Sequence, residues 1–538
     1  MSDECVESQL SVSTQDGTRT GSVRGHGTAA AVRVPGLTIL YHPDLDRVGE
    51  RTLLDGLGAG RDETLSRHAP DFAAAGAGVS RPLADSRLSR TPIVLRRDSG
   101  RIVADRGGSR TRLEVDGREI DAAAAWPVEA LESGVVLLLG GRIVLLLHLL
   151  DPIADTSTPR FGMIGESPAV AALRRDVLRT ADLDVPILLR GESGTGKELA
   201  ARAIHDAGPR RQRPWVAVNM AAVPPSLAAA ELFGVERGAY TGAERRRTGH
   251  FERAHGGTLF LDEVGETPPD VQALLLRALE TGEIQAVGAE GTRRVDVRLI
   301  SATDTDLETA IEEERFRVPL LHRLSGYVLR LAPLRERRED FGRLFVSFLR
   351  RELGALGDLD RISPGRPPWL APALVARLAA WHWPGNVRQL ANVVRQIAIA
   401  NRGAETATRF DEVEKLLAQP PAPGPIRGPR LRGPREDAPP PPSGRRRAAD
   451  LREDEVVAAL RAHRFRPTAA ADALGIPRSS IYDLIQRIPG LRQASQLDRE
   501  EIDAVRARVG ESVEAMAEDL EVSERALRRR LGQLGLDP

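Results

Sequence analysis

The chain has 538 residues, enough for three or more domains, and its 41% hydrophobic and 28% charged residues are typical of an ordinary soluble protein. Basic and acidic residues balance at 76 each, so nucleic-acid contacts must come from local basic patches rather than a global field. Cys5, the single cysteine, excludes intramolecular disulfides and cysteine metal clusters and favours a cytoplasmic location. The polar N-terminus does not predict a signal peptide, and the apolar stretch Val135–Leu150 is too short to span a bilayer, so we expect no membrane association.

Residues 1–32 are polar and rich in Gly, Ser and Thr, which predicts a disordered tail. Residues 33–152 are predicted to form a β-sandwich, because short apolar runs alternate with turns such as Asp98-Ser99-Gly100 and Asp116-Gly117. The predicted strands are Leu37–Tyr41, Pro92–Arg96, Arg101–Ala104, Leu113–Val115, Val135–Leu139 and Ile143–Leu149.

The order of motifs in this segment resembles that of a forkhead-associated (FHA) domain, a sandwich that binds phosphothreonine. The motifs are Gly60-Arg61, Leu88-Ser89-Arg90, Gly108-Ser109, Asp116-Gly117 and Leu131-Glu132-Ser133-Gly134. The resemblance implies that Arg61, Ser89 and Ser109 contact the phosphate of a phosphothreonine protein. Pro92 stands where the family has His, and Arg110 where it has Asn. A sandwich that binds only a neighbouring domain fits the sequence equally well.

A glycine-rich loop follows the apolar run Val185–Leu189 and opens the apolar-periodic segment Leu199–Ile204. The loop reads Gly191-Glu192-Ser193-Gly194-Thr195-Gly196-Lys197-Glu198. Strand, glycine loop and helix in this order predict an ATP-binding P-loop, whose backbone N–H groups surround the phosphates. Lysine occurs only at Lys197 and Lys415 in this arginine-rich chain, which favours a specific role for Lys197 at the β- and γ-phosphates.

About 65 residues further on, the apolar strand Gly256–Leu261 ends in two carboxylates, Asp262 and Glu263. Ligands of α/β sheets bind at the carboxyl ends of strands, where these acids fall. We therefore predict that Asp262 holds Mg²⁺ and that Glu263 polarises the attacking water.

Residues 161–418 closely resemble the AAA+ ATPase domain of sigma-54-dependent transcriptional activators. The motifs, besides the P-loop, are Gly162–Ser167, Glu231–Gly234, Gly238-Ala239-Tyr240-Thr241-Gly242-Ala243, Leu334–Asp340 and Trp383–Leu390. The resemblance implies an α/β subdomain (161–330) and a helical lid (331–418).

The same resemblance implies roles for individual residues. The hexapeptide Gly238-Ala239-Tyr240-Thr241-Gly242-Ala243 would contact sigma-54, and Arg388 would be the sensor arginine of the lid. Arg317 and Arg323 would enter the ATP site of a neighbouring subunit, which requires a ring; the family forms hexamers.

The sequence departs from the family pattern at three places. Tyr240 replaces the usual Phe of the loop, and Asp304 replaces the usual Asn of the first sensor. A carboxylate at Asp304 is expected to repel the γ-phosphate. Val318-Pro319 replaces an acidic pair after Arg317, and the proline is expected to disturb a helix there.

Residues 419–450 are rich in Pro and Arg, which predicts an extended tether, with a supplementary phosphate contact as the alternative. Beyond it, Ala469–Ile481 aligns with Ala515–Leu527, so the C-terminus contains an internal repeat (451–491 and 499–536). Both copies have the pattern of a helix-turn-helix, and the first resembles the Fis-type module of sigma-54 activators. Its candidate DNA contacts are Arg478, Ser479, Ser480, Tyr482 and Gln486. The second copy fits DNA binding, dimerisation or packing.

The chain is thus predicted to be a multidomain protein in which a β-sandwich, an AAA+ α/β domain with a lid and all-α modules follow one another. Its predicted function is that of a sigma-54-dependent activator, which binds upstream DNA and uses ATP and Mg²⁺ to remodel the sigma-54 RNA polymerase complex. Two alternatives remain at this point: an AAA+ chaperone-like remodeller, and a DNA-binding regulator with a weakened ATPase.

Overall fold

The computed structural model describes residues 33–538 except 75, 77–78, 153–157, 240–244, 419–450, 477–480, 482–483, 486–487, 489–496, 511, 535 and 537–538. The predicted tail and tether lie outside the described residues. Within the described part of the chain, no helix combines the length and the apolarity needed to cross a bilayer.

Two antiparallel sheets form the N-terminal region, with strand orders β5-β4-β2-β1-β12-β11-β8-β9 and β10-β7-β6-β3. All six predicted strands are present, and six further short strands complete the sheets. The strands are β1 Val34–Tyr41, β2 Arg51–Leu53, β3 Glu63–Leu65, β4 Phe72–Ala73, β5 Ser80–Arg81, β6 Ile93–Asp98, β7 Arg101–Asp105, β8 Leu113–Val115, β9 Arg118–Ile120, β10 Ala123–Pro127, β11 Val135–Leu139 and β12 Ile143–Leu150, with two single-turn helices, α1 Asp55–Gly58 and α2 Ala130–Ser133.

The long sheet is buried on both of its faces at strands β1, β11 and β12. On one face, Ile39, Leu137 and Leu145 share a core with the short sheet. On the other face, Leu40 and Leu146 pack in a second core with lid side chains. Successive side chains of a strand point to opposite faces, so burial on both sides requires a continuous apolar run. This explains why β11 and β12 lack the polar alternation of a surface strand.

The middle of the chain contains a parallel five-stranded sheet in the order β14-β15-β18-β13-β19, flanked by helices. Its strands are β13 Ile187–Arg190, β14 Trp215–Asn219, β15 Thr258–Asp262, β18 Arg298–Thr303 and β19 Tyr327–Arg330, and a separate hairpin pairs β16 Glu283–Ile284 with β17 Arg293–Arg294. The helices are α3 Pro168–Ala181, α4 Lys197–Ala207, α5 Pro225–Phe233, α6 His250–Arg253, α7 Pro269–Thr281, α8 Leu307–Glu312 and α9 Val318–Leu324. Parallel register aligns Arg190 with Thr303 and Asn219 with Asp262, so the segments that follow these strands meet at one edge.

The expectation that Pro319 disturbs the helix after Arg317 was wrong. Helix α9 begins at Val318, which places Pro319 in its first turn. The first four N–H groups of a helix have no partner within it, so a proline there removes no hydrogen bond.

The lid contains four helices, α10 Phe341–Leu356, α11 Pro372–Ala380, α12 Asn386–Ala400 and α13 Asp411–Ala418. Helix α10 lies against β1 so closely that a Cβ atom on Gly342 would fall 2.3 Å from the carbonyl oxygen of Leu40. Polar contacts surround this approach: Arg343 donates to the carbonyl of Gly49 (3.0 Å), and Arg350 pairs with Asp46 (2.5 Å). The N-terminal sheets are therefore docked on the lid by interior-type packing.

The C-terminal region contains two small helical modules. Their helices are α14 Glu453–Ala462, α15 Pro467–Leu474, α16 Arg499–Val509, α17 Val513–Asp519 and α18 Glu524–Gln533. The second module has its own core, which includes Ile502, Met516 and Leu527. Ion pairs join the modules, from Arg461 to Glu521 (2.6 Å) and from Arg464 to Glu514 and Glu518.

Glu339 lies at the docked interface, and its charge is disfavoured there. Burial and the neighbouring Asp340 carboxylate raise its pKa from 4.5 to about 7, although Arg51 and Arg33 oppose the shift. Because the folded-state pKa is raised, the contribution of protonated Glu339 to stability is full below pH 4.5 and is lost as the pH rises through about 7.

We predict that Glu339→Gln, which stays neutral, removes this pH dependence. Between about pH 5 and about pH 8, the unfolding free energy of the wild type should fall relative to the variant by at most ~3 kcal/mol, since one pKa unit is worth about 1.4 kcal/mol. Chemical denaturation across this range measures the difference. The exposed Glu290→Gln is the control, and a difference that stays constant with pH would contradict the assignment.

Candidate ATPase site

The glycine-rich loop leaves β13 at Arg190 and enters α4 at Lys197, as the sequence predicted. Gly194 (φ +78°) and Gly196 (φ +105°) hold backbone angles that side-chain-bearing residues avoid. No heavy atom lies within 4 Å of the position that a Cβ on Gly196 would take, apart from its chain neighbours and the backbone of its own helix. The loop thus presents an open concave backbone at the N-terminus of a helix, which suits a phosphate chain.

Lys197 is buried at the base of this loop. Its Nζ donates to the carbonyl of Gly191 (2.9 Å) and lies 3.3 Å from Oε1 of Glu263. The ammonium group is therefore held between the P-loop and the carboxylate of the next strand, where it balances the charge of Glu263.

The two predicted carboxylates lie at the end of β15. Glu263 adopts a left-handed backbone (φ +51°) and accepts a hydrogen bond from the backbone N–H of Asp304 (3.1 Å). Burial raises the pKa of Glu263, and the Asp304 carboxylate adds to the rise, while that backbone bond and Lys197 oppose it. Asp304 thus lies beside Glu263; its predicted place near the γ-phosphate stays a prediction.

Sequence reasoning missed Asn219, which ends the neighbouring strand β14. Its Nδ2 donates to Oδ2 of Asp262 (3.4 Å), and its Oδ1 accepts from the N–H of Ala221 (2.9 Å). A polar residue at the end of an apolar strand was a signal available from the sequence.

The lid contributes directly to the P-loop. The predicted sensor Arg388 donates to Oγ of Ser193 (3.2 Å). Two residues that sequence reasoning did not select also reach the loop: Arg335 forms a bidentate pair with Glu192 (2.5 and 2.7 Å), and Asn386 donates to Glu192 (3.1 Å). Burial by itself would raise the pKa of Glu192, but the bonds from Arg335 and Asn386 outweigh it. The pKa is therefore lowered, and Glu192 stays ionised.

The predicted trans-acting arginines lie elsewhere, on exposed positions around α9. Arg323 donates through two nitrogens to the carbonyl of Leu279 at the end of α7 (2.9 and 3.0 Å). Arg317 precedes α9; its backbone N–H donates to Oε1 of Gln272 (2.9 Å), and its carbonyl accepts from the N–H of Leu321 (3.2 Å). Neither guanidinium contacts the P-loop of its own chain among the described residues.

The backbone on either side of the predicted sigma-54 loop is paired at Val235 and Arg247. The backbone groups of Val235 and Arg247 exchange two hydrogen bonds (2.9 Å each). Gly238 is exposed with φ +83°, and Ala239 follows it. Tyr240, Thr241, Gly242 and Ala243 lie outside the described residues, as do the candidate DNA contacts Arg478, Ser479, Ser480, Tyr482 and Gln486.

The structure brings together two of the three predicted phosphothreonine contacts. The Ser89 N–H donates to Oγ1 of Thr111, and Oγ of Ser109 donates to the carbonyl of Thr91 (2.8 Å each). Arg61 precedes β3 and so lies at the end of that strand away from Ser89. Arg67 follows β3 instead, with its N–H bonded to the carbonyl of Ser89 (3.2 Å).

Asp262 suits a magnesium ion because its half-buried carboxylate lies at the open edge of the sheet near the P-loop. In the described part of the chain, no group of three or more His, Cys, Asp or Glu could hold a metal by itself. The parallel sheet, the P-loop and the acids at the end of β15 define a P-loop ATPase, and the helical lid places it in the AAA+ class.

Comparison with known proteins agrees with this class. A family model described as a sigma-54 interaction domain matches residues 163–330, and one described as an AAA+ ATPase lid domain matches residues 335–421.

Among curated proteins, the chain is 46% identical over 254 residues to the DNA-binding transcriptional regulator NtrC of Salmonella typhimurium, which covers 47% of this chain and 52% of NtrC. It is 38% identical over 337 residues to the transcriptional regulatory protein ZraR of Klebsiella oxytoca, which covers 63% and 71%. A structure of NtrX from Brucella abortus in complex with ATP is 29% identical, covers 60% of this chain and 68% of NtrX, and has a TM-score of 0.41. The chain spans about half the length of NtrC and belongs to the family of sigma-54-dependent transcriptional activators.

We predict that Asp304→Asn speeds ATP hydrolysis. The amide keeps the backbone N–H that holds Glu263 and removes a negative charge beside it; a gain of about 1 kcal/mol in the transition state would raise kcat about fivefold. Steady-state turnover at saturating ATP measures the change. Asp121→Asn, an exposed acid on the N-terminal sheets, is the control, and a slower Asp304→Asn enzyme would show that the carboxylate is required.

Proposed function

We propose that the protein activates transcription by using ATP hydrolysis to remodel sigma-54 RNA polymerase. The observation that carries this proposal is the match to the sigma-54 interaction domain, which spans both the ATP site and the loop at 238–243. An isolated P-loop would fit any AAA+ remodeller, including a chaperone, whereas this loop is specific to sigma-54 activators.

The residues of the site divide the chemistry of hydrolysis between them. The backbone of Gly191–Gly196 and the Lys197 ammonium would bind the phosphates, and Asp262 would hold the Mg²⁺ that neutralises charge on them. Glu263 would orient and polarise the attacking water, because its carboxylate lies beside Lys197 at the strand end. Arg388, which already contacts the P-loop, would report the nucleotide to the lid.

Arg317 and Arg323 support assembly into a ring. Both are exposed, and their own P-loop is not among their contacts in the described structure, so a role in ATP hydrolysis requires a neighbouring subunit. A closed ring of identical subunits, a hexamer by family resemblance, supplies such contacts at every interface.

The loop at 238–243 would transmit nucleotide state to sigma-54. Gly238 and Gly242 permit backbone angles that let the loop change height, and Tyr240 retains an aromatic face for contact. The hydrogen-bonded base at Val235 and Arg247 anchors the loop to the ATPase core.

The C-terminal modules would hold the protein on upstream DNA. The first module is the proposed base reader, through Arg478, Ser479, Ser480, Tyr482 and Gln486. The second module presents α18, on which Arg528 pairs with Glu524 (2.7 Å). The ion pairs between Arg461, Arg464 and the second module favour one composite DNA-binding unit.

The N-terminal sheets would bind a phosphothreonine protein, as the forkhead-associated resemblance implies. Arg67 replaces Arg61 as the proposed phosphate contact, because it lies beside Ser89. The guanidinium groups of Arg67, Arg90 and Arg110 have no partner among the described residues, although most arginines in the described part of the chain are paired. Unpaired guanidinium groups beside hydroxyl-bearing loops suit a phosphate group.

The activator function predicts that hydrolysis and activation can be separated. Thr241→Ala should keep ATP turnover and DNA binding close to wild type, yet abolish open-complex formation on a sigma-54 promoter. Glu263→Gln should bind ATP but lose both turnover, by about 100-fold or more, and activation. Lys197→Ala should lose ATP binding itself. Turnover, nucleotide binding and promoter-opening assays on the same preparations provide the measurements.

Two outcomes would contradict this function. A Thr241→Ala protein that still opens the promoter would remove the loop from the mechanism. A wild-type protein that hydrolyses ATP without engaging sigma-54 would favour a chaperone-like remodeller, and one that binds DNA without turnover would favour a regulator with a weakened ATPase.

For the N-terminal sheets, we predict that a phosphothreonine peptide library contains ligands whose affinity falls about tenfold or more in Arg67→Ala, since a charge-assisted bond to phosphate is lost. Arg61→Ala, an exposed arginine at the other end of β3, is the matched control and should bind like wild type. Calorimetry measures both. Equal losses in the two variants would indicate a general charge effect rather than a phosphate site.

A further inference from the structure

One short segment of the lid touches both the P-loop and the N-terminal sheets. We call Leu334–Arg343 the connector segment. It contains two 3-10 turns, Leu334–Glu336 and Arg338–Asp340, and runs into α10. Because consecutive turns and the helix leave little slack, a displacement at one end of the segment must be felt at the other.

The first half of the connector segment holds the P-loop. The guanidinium of Arg335 grips Glu192 through two bonds (2.5 and 2.7 Å), and Arg337 donates to the carbonyl of Thr195 (3.2 Å). Both P-loop residues flank the glycines that would surround the phosphates. These arginines therefore set the shape of the loop without occupying the space of the nucleotide.

The second half of the connector segment holds the N-terminal sheets. Arg338 donates to the carbonyl of Gly134 (3.4 Å), and Arg343 donates to the carbonyl of Gly49 (3.0 Å). Gly342 lets the backbones of α10 and β1 touch, with no room for a methyl group against Leu40. The apolar core formed by Leu40 and Leu146 with the lid lies directly behind these contacts.

A buried carboxylate fastens the middle of the connector segment to the α/β subdomain. Asp340 accepts hydrogen bonds from the N–H groups of Glu166 (2.7 Å) and Ser167 (3.0 Å) and from Oγ of Ser167 (2.6 Å). Ser167 in turn caps α3. The connector segment thus has a fixed pivot between its two ends.

We propose that docking of the N-terminal sheets on the lid sets the affinity of the P-loop for nucleotide. Arg335 is the positioning residue: its location depends on the docked connector segment, and its two hydrogen bonds hold Glu192 of the P-loop. The proposal rests on the ATPase function and adds its regulation. Loosening of the sheets moves the connector segment about its pivot, withdraws Arg335 from Glu192 and leaves the P-loop less ordered. Nucleotide binding then weakens, whereas the water-activating Glu263, which the connector segment does not touch, keeps its geometry.

The test compares two glycines of helix α10 in the full-length protein. Gly342→Ala places a methyl group against β1 and should push the sheets away, while Gly354→Ala, where no neighbouring atom lies within 4 Å, leaves docking intact. We expect the Kd for a fluorescent ATP analogue to rise about tenfold in Gly342→Ala and to stay unchanged in Gly354→Ala. We expect kcat at saturating ATP to stay within about twofold of wild type in both.

Arg335→Gln tests whether docking acts on the P-loop through Arg335. Alone, it should weaken nucleotide binding about as much as Gly342→Ala does, and in the double variant Gly342→Ala should add little further loss. Losses that multiply would show that docking reaches the P-loop by another path. An unchanged Kd in Gly342→Ala would overturn the proposal. Because the readout is nucleotide binding, a failure to engage sigma-54 would leave this result interpretable.

A milder pair of substitutions, at a surface salt bridge, controls for misfolding of Gly342→Ala. Arg350 and Asp46 form a salt bridge across the interface (2.5 Å), with exposed fractions of 47% and 67%. Arg350→Asp should loosen docking and raise the Kd in the same direction, and addition of Asp46→Arg should restore it. A Kd that rises in Arg350→Asp and is not restored would indicate a defect of the lid rather than of docking.

Discussion

The ATP site depends on a P-loop shape that the loop cannot maintain by its own hydrogen bonds. A loop that offers its backbone N–H groups to phosphates cannot use them to stabilise itself, so its shape must be imposed by neighbours. Here the neighbours belong to the lid: Arg335 and Asn386 hold Glu192, and the N–H groups of Val387 and Arg388 point to the carbonyl of Gly194 (3.0 and 3.4 Å). The lid is therefore part of the nucleotide site.

The same lid also packs against the N-terminal sheets, so these sheets are linked to the P-loop through the lid. Strands β1, β11 and β12 bury one face against the short sheet and the other against α10 and α11. A sheet buried on both faces loses apolar surface area to two partners, and its separation from either one is costly. The N-terminal sheets and the lid of the ATPase thus share a core, and a change in one is expected to strain the other.

Much of the candidate site could be predicted from local sequence. The P-loop, with Lys197 at its end, and the pair Asp262-Glu263 are contiguous motifs whose spacing indicates their register. Arg335 and Asn386 are about 140 and 190 residues from Glu192, so only folding shows that they hold it. Arg67, the proposed phosphate contact, was not selected because Gly60-Arg61 matched a family motif better, whereas the position of β3 puts Arg67 beside Ser89. Pro319 was misjudged because its effect depends on where the helix begins.

The sequence by itself determined the six long or apolar strands of the N-terminal region, the strand–loop–helix order of the P-loop and the position of two carboxylates after an apolar strand, because apolar periodicity and glycine positions are local properties. It also predicted a regulatory region of β-strands, but left open whether that region binds a phosphopeptide or a neighbouring domain. Only the tertiary structure decided that its long sheet packs on the lid, since the continuous apolar runs of β11 and β12 do not reveal what covers their second face. Which charged residues become partners was likewise decided there, because an arginine-rich chain offers many possible pairs and only the folded backbone selects among them.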